Sequence, residues 1–232
     1  MKKDDLRIEK MFELRYTQAA ELFEGKRYPW EALSELSAFI ERIGRELPPS
    51  EYEERSPTVW IHRSARVYDS AFLSDHILIG PETEVRHCAF LRGSVLAGRG
   101  CVIGNSCELK NSILFDSVQV PHYNYIGDSI LGYRSHMGAA SLTSNVKSDR
   151  RPVFVHAEDG EIETGLKKLG AILSDFVEVG CGSVLNPGCC IGRNTNIYPL
   201  SSVRGTVDAD SIYKREGEIA RKRTGEKGHR EI

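Results

Sequence analysis

A six-residue period runs through most of this chain, and few folds satisfy it. Taking every sixth residue from Ile61 gives Ile61, Val67, Leu73, Ile79, Val85, Leu91, Ala97, Ile103 and Leu109, with no polar residue in the series. After a one-residue slip the series resumes at Leu114, Val120 and Ile126, slips again to Leu131 and Met137, and returns as Leu173, Val179, Leu185, Ile191, Ile197 and Val203. Four positions after each aliphatic comes a second inward candidate, commonly small, such as Ala65, Ala71, Cys101, Cys107, Ser183 and Cys189. A helix repeats every 3.6 residues and a strand every 2.0, so neither explains a period of six. Short parallel strands joined by tight corners do, stacked into a triangular β-helix with aliphatics along its axis. Three strands make a coil of about 18 residues, which gives about six or seven coils. Glycine directly follows many of the aliphatics, at Gly80, Gly104, Gly127, Gly132, Gly138, Gly180 and Gly192, where a turn with positive φ would use it.

The ends of the period set the domain boundaries. Residues 1–57 read as a small helical cap: Leu36, Phe39, Ile40 and Ile43 recur at helical spacing before Gly44 and Pro48-Pro49, and Ser50-x-x-Glu53 is a capping box for one further turn. This cap is expected to cover the open end of the stack and block edge pairing, with Trp30 as a packing anchor. Residues 58–206 form the β-helix. Within them the rhythm breaks over about 142–170, where VFVHAEDGEIE reads as a hairpin about Asp159-Gly160, an excursion of the kind that carries binding residues in repeat proteins. The charged tail 207–232 is expected to be mobile or marginally helical.

Composition narrows the partners. The 232 residues carry 31 basic and 33 acidic side chains, so no overall field recruits nucleic acid or anionic lipid. No segment approaches the roughly 18 apolar residues of a membrane span, and MKKDDLRIEK has no apolar signal core; a cytoplasmic protein is expected. The six cysteines lack the spacing of a zinc site, so no metal is expected.

Arg92 and Lys110 each follow an axial leucine one coil apart, so they stack at about 4.8 Å strand spacing. Two like charges so close would repel unless an anion, most simply a phosphate, sat between them; the alternative is that both splay into solvent. His122 lies in PHYNY, two residues after Val120 and on a different face. A histidine there can act as a general base or be a corner residue. If it acts on a substrate held by Arg92 and Lys110, a neighbouring subunit must complete the site.

The run CELKNSILFDSVQVPHYNYIGDSILGYRSHMGAASLTSN, residues 107–145, resembles the acetyltransferase half of the bacterial bifunctional glucosamine-1-phosphate acetyltransferase and N-acetylglucosamine-1-phosphate uridylyltransferase. The likeness covers roughly residues 60–205, and the whole chain is similar to stand-alone pyrophosphorylase-related proteins. The resemblance implies a left-handed parallel β-helix and acetyl-CoA or another acyl-CoA as donor to a sugar phosphate or sugar nucleotide; a homotrimer is expected, because the Arg92–Lys110 groove needs a neighbour to bring His122 and Arg151 close. It implies that His122 is the general base and that Asn145 positions the acyl group and its developing oxyanion. Arg92, Lys110 and Tyr125 match acceptor contacts, and Arg151 matches a lysine reaching over from a neighbouring chain. His136 stands where the family has a substrate-binding asparagine, and Val146 where it has a tyrosine. Cys181 and Pro199 match a serine and an alanine lining the acetyl-CoA groove, although a proline offers no N–H. Fewer than 60 residues precede the repeats, without a glycine-rich nucleotide loop, so nucleotidyl transfer is not expected. Two further readings stand beside acyl transfer: a sugar-phosphate-binding or assembly module without donor chemistry, and a zinc-dependent γ-class carbonic anhydrase, whose paired histidines are missing.

Overall fold

The computed structural model describes residues 1–223, which form a left-handed parallel β-helix with three faces. The axial aliphatics lie in strict register. Ile61, Ile79, Ala97, Leu114, Leu131, Leu173, Ile191 and Val207 stack on the first face. Val67, Val85, Ile103, Val120, Met137, Val179, Ile197 and Tyr213 stack on the second. Leu73, Leu91, Leu109, Ile126, Thr143, Leu185 and Val203 stack on the third.

The glycines after the aliphatics serve a purpose other than the expected one. None of those seven has positive φ. A Cβ on Gly80 would lie 2.6 Å from the carbonyl oxygen of Gly98, and one on Gly138 would lie 2.6 Å from the nitrogen of Cys181. They are needed because the next coil passes too close for a side chain. The left-handed conformation instead falls three residues after the aliphatic, at Glu82, Cys88, Ser94, Ser106, Ser117, Tyr123, Arg134, Ala140, Asn194 and Leu200.

Each one-residue slip shortens a corner. Glu108–Leu114 and Tyr125–Leu131 run as continuous strands from the third face onto the first. The left-handed residue then sits only two positions after the aliphatic, at Asn111 and Asp128, with φ of 49° and 48°. Asn and Asp are the side-chain-bearing residues that accept this conformation most readily.

On the first face the outward positions are apolar too. Trp60, Leu78, Leu96, Ile113, Ile130, Ile172 and Cys190 form one buried row, so that strands such as Ile77–Ile79 and Ala171–Leu173 are hydrophobic on both sides. The N-terminal segment covers this row. Its helix Leu36–Glu46 packs on Ile77–Ile79 and Val95–Ala97, and its 3-10 turn Pro29–Ser34 packs on Tyr125–Leu131. Phe12 meets Phe115 at 4.8 Å, Tyr16 stacks on Tyr133 at 3.8 Å, and Gly44 leaves room for the Trp60 indole. Trp30 is buried against Tyr28. The expected end cap is therefore a lateral strap. Within this N-terminal segment it is Tyr52–Ser56, a strand rather than the expected helical turn, that closes an edge, pairing antiparallel with Val59–His62.

The other flanks are also ordered. Beyond Val207, Ser211–Arg215 and Glu218–Arg221 form an antiparallel hairpin stacked on Asn196–Ile197. It replaces the mobile or helical tail expected there; 224–232 lie outside the described residues. In the excursion Phe154–Ala157 and Gly160–Glu163 pair as a hairpin, its loop at Glu158-Asp159, one residue earlier than expected. The Lys3 amide donates to Asp159 at 2.8 Å and the Met1 ammonium bonds Glu158 at 3.0 Å, docking the hairpin on the strap. Among the described residues no helix is long and apolar enough to cross a membrane.

Candidate functional site

The two shortened corners build a polar cluster at the edge between the third and first faces. Asp128, whose side chain is only 5% exposed, is its hub. Lys110 Nζ donates to Asp128 Oδ1 at 2.9 Å and to Oδ2 at 3.2 Å, and Asn111 Nδ2 donates to Oδ1 at 2.9 Å. Asn145 Nδ2 donates to Asp128 Oδ2 at 2.5 Å and to the Tyr125 hydroxyl at 3.2 Å. Gly127 permits this closure, because a Cβ there would lie 2.5 Å from the Tyr125 hydroxyl and 2.7 Å from Asn145 Nδ2. Lys110 and Asn145, far apart in sequence, thus converge on the Asp128 carboxylate, which the sequence reading passed over, and Tyr125 joins them through Asn145. The signal for Asp128 was the second slip, which puts an aspartate at a short corner.

These bonds define what two of the expected site residues can offer a ligand. Both Asn145 Nδ2 hydrogens are engaged, so the amide oxygen is the atom left for a ligand, and it accepts rather than donates. Burial pushes the Tyr125 phenol above its ordinary range, against the opposing Asn145 hydrogen bond, so the hydroxyl stays protonated and can donate.

Arg92 stacks beside Lys110 as expected, since its amide bonds Leu109 O at 2.8 Å. The like-charge cost that called for an anion is nevertheless met within the chain: Arg92 Nη1 lies 3.3 Å from Glu108 Oε1, and Lys110 is held by Asp128. The two pairs differ. Arg92 remains 48% exposed and is the more available cation.

His122 lies across the third face, at its corner with the second. The buried Asn124 fixes that corner, its Oδ1 accepting the His122 amide at 3.0 Å and its Nδ2 donating to Gly138 O at 2.8 Å and Ser141 O at 2.9 Å. The imidazole is exposed and makes no hydrogen bond among the described residues. The ladder continues through Ala140 N to His122 O at 3.0 Å, Gly182 N to Ala139 O at 2.8 Å and Leu200 N to Cys181 O at 2.9 Å. His122, Ala139, Cys181 and Pro199 therefore stand in line along one corner. Cys181 is exposed, as are Tyr123 and Leu200 beside the line.

His136 and Arg151 do not join either group within one chain. His136 lies on the second face, its Nδ1 2.9 Å from Glu178 Oε2. Arg151 is exposed on the excursion, its amide bonded to Asp149 at 3.0 Å. Among the described residues no group of three or more His, Cys, Asp or Glu could hold a metal ion.

Comparison with known proteins gives this geometry a context. A family profile described as GMPPB C-terminal domain matches residues 76–166. The bifunctional protein GlmU of Methanococcus maripaludis is 28% identical over 192 residues, covering 82% of this chain and 46% of its own. The uncharacterized acetyltransferase YaiX of Escherichia coli is 28% identical over 185 residues, covering 71% of this chain and 79% of its own. Among solved structures, a hexapeptide transferase family protein of Anaplasma phagocytophilum is similar with a TM-score of 0.41 at 18% identity, covering 72% of this chain and 82% of that one. The chain spans less than half the length of the GlmU relatives it matches.

Proposed function

We propose that this chain, similar to GlmU relatives and to an acetyltransferase over most of its length, moves an acyl group, in the first instance acetyl, from acyl-CoA to an amino-sugar phosphate or sugar nucleotide. The observation that carries this reading is the convergence of Lys110 and Asn145 on Asp128, with Tyr125 bonded to Asn145, at one edge of the third face and His122 at the other edge.

The His122 imidazole takes the proton of the acceptor amine or hydroxyl as that atom attacks the thioester carbonyl. A C–N or C–O bond forms, the C–S bond breaks, and the imidazolium returns the proton to the departing thiolate. With an amine acceptor, the Asn145 amide oxygen accepts the N–H that His122 does not take and so aims the nitrogen lone pair at the carbonyl. With Asn145 Nδ2 committed to Asp128, backbone N–H groups are left to stabilise the oxyanion. Arg92 binds the acceptor's phosphate and Lys110 adds its field.

The strap covers the first face, so oligomer contacts fall to the other two. A homotrimer would set the His122 corner of one protomer against the Arg92–Lys110 edge of its neighbour, with Arg151 crossing the seam and the donor lying along His122, Cys181 and Pro199. Val146 and Pro199 favour a second reading, a sugar-phosphate-binding module without donor chemistry, because neither supplies the contact its family counterpart does.

A thiol-release screen with acetyl-CoA against amino-sugar phosphates and sugar nucleotides tests the choice, with a blank for the exposed Cys88 and Cys181. Acceptor-dependent thiol release is expected. Calorimetric binding of a sugar phosphate without binding of acetyl-CoA would favour the module.

A further inference from the structure

We propose that the outward row of the third face continues from the acceptor cluster into a nucleobase platform, Phe90 and Phe72, so that the acceptor is a nucleoside diphosphate sugar rather than a sugar 1-phosphate. This rests on the acyltransferase reading above and narrows its substrate.

The order of groups along the axis sets the direction. Asn145, Asp128, Lys110 and Arg92 lie on successive coils toward the N-terminal end, coils being about 4.8 Å apart, with Lys110 in register with Gly127, one residue before Asp128. With the reacting group at Asn145 and the anion at Lys110 and Arg92, anything joined to the far side of the phosphate runs onward toward the first coils. In that direction the row reads Tyr125, Glu108, Phe90, Phe72, in continuous strand register.

Phe72 is 63% exposed, and its ring centroid lies 5.7 Å from that of Phe90 at an interplanar angle of 63°. An outward phenylalanine pair beside a charged row gains little from water, and its open ring face suits a flat aromatic ligand. Charge along the same path is mixed: Glu108 lies between Tyr125 and Phe90 and is held by Arg92 at 3.3 Å, so a diphosphate would take that carboxylate's place on the guanidinium. Arg92, two residues after Phe90 on the same strand side, is half exposed, and its planar fork suits a diphosphate. The acid on the adjoining corner, Asp75, is engaged by the Ser74 hydroxyl at 2.9 Å and the His76 ring at 3.1 Å. Phenyl rings offer no hydrogen bonds, so the platform accepts a base without reading its identity.

The test titrates the full-length chain with UDP-N-acetylglucosamine and with N-acetylglucosamine 1-phosphate, both already acetylated and unreactive. Wild type is expected to prefer the sugar nucleotide about tenfold or more. The Phe72→Ala, Phe90→Ala double variant should lose that preference, keep its affinity for the 1-phosphate within about twofold, and sediment as wild type does. Equal wild-type affinities, or a preference that survives the double substitution, would overturn the platform while leaving the acyltransferase reading intact. A changed sedimentation coefficient would assign the rings to contact with a second copy of the chain and overturn it too. If neither ligand binds, the sugar-phosphate reading fails and the platform with it.

Discussion

The two corners that border the third face are made of opposite materials. At the corner with the first face, Asp128 accepts from Lys110, Asn111 and Asn145 and is almost wholly buried. At the corner with the second, the only buried polar side chain in PHYNY is Asn124, while His122 and Tyr123 stand exposed. The first corner is preorganised, with every donor already aimed, as suits a group that binds and orients. The second fixes its backbone and leaves the imidazole free, as suits a group that must gain and lose a proton. Damage should therefore separate: the second corner should lose rate without stability, and the first should lose both.

The largest expected effect is at the free corner. His122→Ala should lower turnover by roughly 10²- to 10⁴-fold, with acceptor affinity and thermal midpoint nearly unchanged, because the ring bonds nothing among the described residues. Steady-state rates at saturating donor and acceptor, alongside a melting curve, decide it. A folded variant working at the wild-type rate would make His122 a corner residue only.

Next come the stacked cations, which the sequence treats alike and the structure does not. Arg92→Ala should cost about 1.5–3 kcal/mol of phosphate binding and leave the melting point in place, since its partner Glu108 is itself partly exposed. Lys110→Ala should cost binding and stability together, because it strands the buried Asp128 carboxylate; about 1–3 kcal/mol of stability is expected. Adding Asp128→Asn to Lys110→Ala should recover part of that stability without recovering binding, a coupling that a double-mutant cycle reads directly. Equal melting points for Arg92→Ala and Lys110→Ala would remove the asymmetry between the pairs.

Much of this was legible in the residues, and what was missed has physical causes. The axis was readable because each coil repeats the same packing demand, so Ile61 through Val203 keep step. The strap's seat was also written down, as the paired apolars before each first-face axial residue, Trp60-Ile61, Leu78-Ile79, Ile172-Leu173 and Cys190-Ile191, but a period of six attends only to inward positions. The glycines were found and misassigned, since sequence does not distinguish a turn from the close passage of the next coil. Asp128 was missed because a carboxylate after Ile-Gly reads as a solvated corner until the slip is recognised as a shortened one. The tail hairpin turns on Glu216-Gly217, a signal diluted by the surrounding charge.

The smallest expected effect sharpens the comparison chemically. Burial pushes the Cys101 and Cys189 thiols up to about 12, and it raises Cys107 and Cys190 as well. Near pH 8 only the exposed Cys88 and Cys181 should react with an aromatic disulfide reagent, since the thiolate is the nucleophile. The same burial bears on stability in alkali. Thiols of the unfolded chain ionise from about their ordinary 9.0, while Cys101 and Cys189 in the fold hold their protons to about 12, so stability should fall as pH rises through that window. Of the two reactive thiols, only Cys181 stands on the line from His122 to Pro199; Cys88 lies on the far side of Tyr123, toward the first coils. Acetyl-CoA should therefore slow modification of Cys181 and leave Cys88 untouched, as peptide mapping by mass spectrometry would read. Equal protection, or none, would move the donor off the His122 corner and leave that edge of the third face without its assigned occupant.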